Sequence, residues 1–405
     1  MLKLSDLDVI SKSQYQALQD KENLVQRDLM QSISLKHKSH ALIISGIRRC
    51  GKSTLLGQLI TEHQLNAFYI NFDTPKLYNF ELKDFELLDN LIESTGNNTL
   101  CFDEIQVVKG WELYIRQKLD QHYRVIITGS NASLLSKELG TKLTGRHITK
   151  ELFPFSFTEF TRFYSIEPDE NSFSRFIAQG GFPEYLKTGD VEVLTNLIND
   201  ILYRDIAVRY NLRDTKTLKH LLVFLLSNVG NLVTAGKLAK MLSIKSKATL
   251  LDYFSYFEQA YLISLMPKFS YSHRAQLINP RKIYFIDTGM IKASTASFSE
   301  DGGHKLENII FWELRRKNYI LFYFNENNKE CDFIATENNE IKQIIQVCYN
   351  LTFSNQDREI NGLLEAMNFF DKKEGTLVTY NREDLIIHKN KRINVVPAHQ
   401  FILSL

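Results

Sequence analysis

Residues 41–56 read ALIISGIRRCGKSTLL, an apolar run that stops at a glycine and resumes as a mixed segment after Gly51-Lys52-Ser53. The spacing Gly46-x-x-x-x-Gly51-Lys52-Ser53 is that of a phosphate-binding loop, and its flanks suit one. Ala41 to Ser45 reads as a short buried strand and Ser53 to His63 as a helix. Glycines let successive backbone N–H groups turn inward on a phosphate, and the helix N-terminus adds the positive end of its dipole. The candidate nucleotide cradle is therefore Gly46, Ile47, Arg48, Arg49, Cys50, Gly51, Lys52, Ser53 and Thr54. Lys52 would reach the β- and γ-phosphates of ATP, and the Ser53 hydroxyl would hold Mg2+. The side chains of Arg48, Arg49 and Cys50 are expected mostly to point away from the nucleotide.

The chain has 405 residues, room for several domains, and its 44% apolar and 24% charged residues are those of a globular protein. Lys and Arg number 49 against 47 Asp and Glu, a net charge of +2. Bulk electrostatics thus neither demands nor excludes nucleic acid, and local basic patches would have to carry any such binding. No apolar run is long enough to span a bilayer, and the opening MLKLSDLDVISKSQ lacks a signal-peptide core. A cytoplasmic protein without membrane partners is expected. Cys50, Cys101, Cys331 and Cys348 have neither paired nor zinc-ligand spacing, so reduced, buried thiols are expected.

Downstream, apolar strands alternate with amphipathic segments, the pattern of an α/β sheet. Ala67–Asp73 (AFYINFD) reads as a second strand and Thr99–Ile105 (TLCFDEI) as a third. The third ends in acids, as a Walker B strand does. Asp103 would contact the magnesium and Glu104 would position the attacking water, since ligands gather at the carboxyl ends of parallel strands. The next strand, RVIITGSNASLL, ends in Ser130 and Asn131. Asn131 is either a sensor of the γ-phosphate or the N-cap of the following helix.

Gly46–Ser53, CFDEIQ, ITGSN, LTGRHITKELFPFSFTEF and GGFPEYL, in that order, resemble a family of prokaryotic AAA-type P-loop ATPases of the AAA+ superfamily. In that family a winged-helix segment and a C-terminal domain of the PD-(D/E)XK nuclease type follow the ATPase. The resemblance covers nearly the whole chain. It implies a five-stranded parallel core with the P-loop strand central, His147–Leu152 as the last strand, and a homo-oligomer at work. Within LTGRH, Arg146 is the candidate arginine finger, against the plainer role of a solvated or sheet-edge residue; Arg48 and Arg49 are weaker candidates. Past Phe153 the pattern turns helical, as a lid would, with Gly180-Gly181-Phe182-Pro183 as a sharp break between two helices.

Residues Thr217–Ile263 read as three helices, with a turn at Leu242–Ser246 and Lys245, Lys247 and Thr249 at the start of the last. That is a helix-turn-helix layout, which suits DNA or a protein partner. From Ile283 a second α/β unit is expected. A PD-(D/E)XK nuclease needs a helical glutamate, an aspartate on one strand and an acid-x-lysine on the next. Glu307 and Asp332 match the first two and would be the metal ligands, but the third reads Gln346-Val347-Cys348. A neutral amide is a poor magnesium ligand, a thiol is no standing cation, and Lys342 lies too far along the strand to substitute.

The expected organisation is an N-terminal helical segment (1–35), a P-loop ATPase core (36–153), a helical lid (154–215), a winged-helix-like segment (216–275) and a nuclease-like α/β domain of the restriction-endonuclease type (276–405). The expected activity is Mg2+-dependent ATP hydrolysis, with the C-terminal domain catalytically degenerate and used for recognition. Two rival readings are a slow nucleotide switch and an active ATP-dependent nuclease.

Overall fold

The computed structural model describes residues 2–20, 24–132, 143–244, 246–294 and 302–405. It divides into two compact units, residues 1–153 with 259–261, and residues 154–258 with 262–405.

The first unit is built on five short parallel strands: β1 (Ala41–Ser45), β2 (Ala67–Asn71), β3 (Thr99–Asp103), β4 (Arg124–Gly129) and β5 (His147–Glu151), in the order β2-β3-β4-β1-β5. Every residue of β1 and β3 is buried, the mark of parallel strands covered on both faces. Helices α1 (Leu4–Gln19), α3 (Phe85–Thr95) and α4 (Trp111–Asp120) bring Leu7, Ile10, Leu88 and Ile115 onto Ile43, Ile70, Phe102 and Ile127. Phe85 stacks on Tyr114 at 3.9 Å between ring centroids. Helix α2 (Lys52–Glu62) follows the loop after β1.

One expectation is corrected: β1 is interior but not central. It stands one place from the edge, between β4 and β5, because β5 returns to pair on its open side, Ala41 opposite His147 and Ser45 opposite Glu151.

The second unit opens with helices Phe157–Tyr164, Glu170–Gln179, Pro183–Thr188 and Val191–Asp200. The last runs on into a π-helical stretch, Ile201–Val208. Phe157, Phe160, Phe173 and Phe176 meet tilted or edge to face, with centroids 5.2–5.7 Å apart. Gly180 takes a left-handed φ of +70° and ends one helix, and Pro183 starts the next. A Cβ on Gly180 would overlap the Asp287 carboxylate.

Three helices follow, Thr215–Leu226, Ala235–Met241 and Lys247–Gln259, with a three-stranded antiparallel sheet of β6 (Leu232–Val233), β7 (Ile263–Met266) and β8 (Arg281–Phe285) in the order β6-β8-β7. Lys247 and Thr249 lie in the first turn of the third helix; Lys245 lies outside the described residues. The strand around Ile283, expected to open the C-terminal sheet, is β8 of this small sheet. A short apolar run such as Ile283–Phe285 suits any sheet, and here antiparallel pairing of Ile263 with Phe285 and Met266 with Lys282 decides which one it joins.

Helix Gly302–Arg316 then leads into a six-stranded mixed sheet of β9 (Ile320–Glu326), β10 (Lys329–Glu337), β11 (Glu340–Cys348), β12 (Glu374–Thr379), β13 (Asp384–His388) and β14 (Lys391–Pro397). Strands β9, β10 and β11 form an antiparallel meander; β11, β12 and β14 run parallel. Helix Gln356–Phe369 covers one face, with Leu363 and Met367 against Ile334, Leu377 and Val395. All four cysteines are free and buried, and no helix among the described residues is long and apolar enough to cross a membrane.

Candidate functional site

At the carboxyl end of β1 the chain makes a tight loop. A Cβ on Gly46 would overlap the Leu152 carbonyl, and Gly51 takes a φ of +103° to enter α2. The Cys50 thiol turns away and donates to the Leu152 carbonyl at 3.3 Å, and Ile47 is fully buried. Ser53 and Thr54 are half-buried in the first turn of α2, and Arg49 is exposed.

Lys52 is only 5% exposed. Its ammonium donates to the Gly46 and Ile47 carbonyls at 3.1 Å each and stands 3.4 Å from Glu104 Oε1. Burial alone would lower its pKa, but the Glu104 carboxylate outweighs that and holds it above the ordinary value. The loop and its lysine thus form a ready cradle for an anion.

Asp103 and Glu104 divide the work of the β3 end. Asp103 is fully buried and accepts from Tyr69 Oη at 2.9 Å, Asn71 Nδ2 at 3.1 Å, Thr128 Oγ1 and the Ser53 hydroxyl. The two side chains expected to hold magnesium are therefore in contact. Burial, reinforced by Glu104, raises the Asp103 pKa. Glu104 sits in a left-handed turn, φ 54° and ψ 35°, which aims its carboxylate back over the loop. It accepts from the Ser130 amide at 3.2 Å, Ser130 Oγ at 3.0 Å and Gln106 Nε2. Burial would raise its pKa; the Lys52 ammonium wins and keeps it lowered and ionised. Residues present here fit a nucleotide with magnesium: an anion cradle, a cation, and a hydroxyl beside a carboxylate.

Asn131 is 2% exposed at the end of β4, between the ends of β1 and β3, and its carbonyl accepts from Ser45 Oγ at 2.9 Å. The helix it was expected to cap lies outside the described residues. Arg146 precedes β5, at the end of the sheet opposite the loop, and pairs with Asp120 at 2.7 Å. Arg48 departs from expectation: it turns over the sheet ends and pairs with Asp73 at 3.4 Å.

Sequence reasoning missed Arg27. Its buried guanidinium donates to the Cys50 carbonyl at 2.8 Å and the Phe153 carbonyl at 2.7 Å, bracing the loop from behind. Nothing local marks it, since its partners lie 23 and 126 residues away.

A second cluster lies in the C-terminal half. Glu307 and Asp332 come together, but around an ammonium: Lys282, from β8, is 3.0 Å from Glu307, 2.7 Å from Asp332 and 2.7 Å from Glu330. Tyr284 Oη donates to Glu307 at 2.7 Å. Burial, with Asp332 beside it, pushes the Glu307 pKa up to about 7 against the pull of Lys282. Asp332 Oδ2 accepts from the Val347 amide at 2.9 Å, and Gln346 Nε2 donates to Glu359 at 2.6 Å. Cys348 is a neutral thiol with its pKa pushed up to about 11 by burial, and Lys342 pairs outward with Glu340 at 2.7 Å. The two carboxylates do not fit a divalent ion here, because the Lys282 ammonium already occupies the position between them. Among the described residues no group of three or more His, Cys, Asp or Glu could hold a metal. Sequence reasoning missed Lys282, since a basic pair at the head of RKIYF carries no local mark of burial.

The model of a family described as an AAA domain matches residues 38–161, and that of a domain of unknown function (DUF8612) matches residues 170–301. The uncharacterized protein MJ1544 of Methanocaldococcus jannaschii is 36% identical over 393 residues, covering 89% of this chain and 88% of that protein. An uncharacterized protein of Haemophilus influenzae is 30% identical over 366 residues, covering 85% and 90%. A crystal structure of Cdc6p from Pyrobaculum aerophilum aligns over 76% of this chain and 93% of its own at 14% identity, with a TM-score of 0.26, too low to bear weight. The chain belongs to the family of these two uncharacterized proteins and carries an AAA domain of the P-loop type.

Proposed function

We propose that the chain binds ATP with magnesium at the loop after β1 and hydrolyses it, and that its C-terminal half recognises a partner rather than cutting nucleic acid. The observation that carries the first part is the Lys52–Glu104 pair, 3.4 Å apart beside the Ser53–Asp103 contact. It unites phosphate cradle, charge and base at one sheet end.

Backbone N–H groups of Gly46 to Ser53 would hold the β- and γ-phosphates, with the Lys52 ammonium moving from the Gly46 and Ile47 carbonyls onto their oxygens. Ser53 and Asp103 would hold the magnesium, which supplies charge neutralisation between the two phosphates. Glu104, kept ionised by Lys52, would accept a hydrogen bond from the attacking water and take its proton as the new P–O bond forms. The bond to the β-phosphate oxygen breaks, leaving ADP and phosphate. Ser130 and Gln106 hold the Glu104 carboxylate in place, and Asn131 would touch the γ-phosphate.

Three helices with a three-stranded antiparallel sheet support a winged-helix reading of residues 216–285. A helix, a three-stranded meander, a second helix and a parallel strand support a nuclease-like topology for residues 302–379. The internal Lys282 ammonium supports its use without metal chemistry, for DNA or a protein partner. Glu104→Gln is the test. It is expected to keep ATP affinity, measured by calorimetry, and lose turnover by a hundredfold or more, on the order of the loss of one charge-positioning group. Turnover equal to the parent's would remove Glu104 from the mechanism.

A further inference from the structure

The sheet order puts β4 and β3 between β1 and β2. Arg48, in the loop that leaves β1, nonetheless pairs with Asp73, two residues beyond the end of β2, at 3.4 Å. Neighbouring strands are about 4.8 Å apart, so this contact bridges roughly 14 Å across the ends of the two strands between. Those ends carry Asp103, Glu104, Ser130 and Asn131. The Arg48 guanidinium therefore stands over the place where water, Glu104 and a terminal phosphate would meet, and its charge helps hold the Glu104 pKa down. Arg48 is half-buried, its side chain 19% exposed, which strengthens its field relative to a solvated arginine.

Arg146 offers the contrast. Five residues of β5, about 16 Å at the usual rise, separate it from the loop end of the sheet. It cannot reach the phosphates of its own chain.

We propose that Arg48 is a catalytic residue acting in cis: it stabilises the charge that develops on the terminal phosphate of ATP bound to the same chain, with Asp73 as its positioning residue. The inference rests on the ATPase reading above. A planar guanidinium can meet two phosphate oxygens at once, whereas a lysine meets them as a point charge.

The test compares the full-length parent with Arg48→Ala, Arg48→Lys and Glu104→Gln, measuring kcat, ADP affinity and affinity for ADP with aluminium fluoride. Arg48→Ala is expected to lose about a hundredfold or more in kcat, as removal of a charge-stabilising donor does. Its ADP affinity should hold, while aluminium fluoride no longer tightens binding, a split that a misfolded loop would not produce. Arg48→Lys, which keeps the charge and the fold, should recover only part. Mixing Arg48→Ala with Lys52→Ala should restore nothing, because each chain lacks one half of a cis pair. Turnover by Arg48→Ala equal to the parent's overturns the proposal, and recovery on mixing overturns its cis geometry. A parent no faster than Glu104→Gln would instead overturn the ATPase reading, and Arg48 would fall with it.

Discussion

Lys282 stands in for a cation that the C-terminal carboxylates would otherwise need. With 3% of its surface exposed and carboxylates of Glu307, Asp332 and Glu330 within 3.0 Å, it is held charged because Asp332 and Glu307 outweigh the cost of burial. Removing one partner of a buried pair leaves the other uncompensated, which typically costs about 3–5 kcal/mol. Lys282→Met should therefore destabilise the chain by that order at neutral pH, read from urea unfolding. The deficit should shrink as pH falls, since Glu307 protonates and its charge no longer repels the carboxylate beside it. A loss that stays the same from pH 7 to pH 5 would mean that apolar packing of the lysine stem, not its charge, is what the site uses.

Among the elements, the turn between helices Glu170–Gln179 and Pro183–Thr188 is fixed by a charge from far along the chain. The Asp287 carboxylate accepts from the Gly181 amide at 2.6 Å, the Gly289 amide at 2.9 Å and the Met290 amide at 3.2 Å. Burial still prevails and raises its pKa to about 6. A raised carboxyl pKa means that the folded chain holds a proton which the unfolded chain has lost. Stability from this group is full below the unfolded pKa of about 3.9 and is lost as pH rises through 6, by on the order of 3 kcal/mol. Asp287→Asn should remove that slope, and chemical denaturation at pH 4.5 and 6.5 would show it. An identical slope in the variant would assign the titration elsewhere.

Elements were also where legibility changed. Ala41–Ser45 formed as read, and the β3 strand began at Thr99 as read, because short buried runs closed by glycine or acids leave little choice of boundary. Which strands pair was not legible in the same way. Arg281–Phe285 joined a different sheet from the one expected, since pairing depends on partners 16–50 residues away. The loop spacing pointed to Lys52 as a candidate, and the acidic end of an apolar strand pointed to Asp103 and Glu104. Arg27, Ser130 as the brace of Glu104, and Lys282 had no such signal, because their roles arise only when separate segments meet.

For the whole molecule the open variable is assembly, and the two arginines divide it. Arg48 sits over its own chain's strand ends, so it supports a basal rate that does not depend on protein concentration. Arg146 faces away from its own loop, partly exposed and paired with Asp120 at 2.7 Å, a surface pair that a neighbouring phosphate would outcompete at modest cost. From that position its charge could reach a phosphate only on a neighbouring chain. Turnover per chain should then rise with concentration as chains associate, followed in parallel by sedimentation, and Arg146→Ala should abolish the rise while keeping the basal rate. Mixing Arg146→Ala with Lys52→Ala should bring part of the rise back: the Lys52→Ala chain cannot turn over ATP but still presents an intact Arg146 to its neighbour. If Arg146→Ala, assembled to the same extent as the parent, hydrolyses ATP equally fast, Arg146 is a surface residue and the finger of this family member is Arg48 alone.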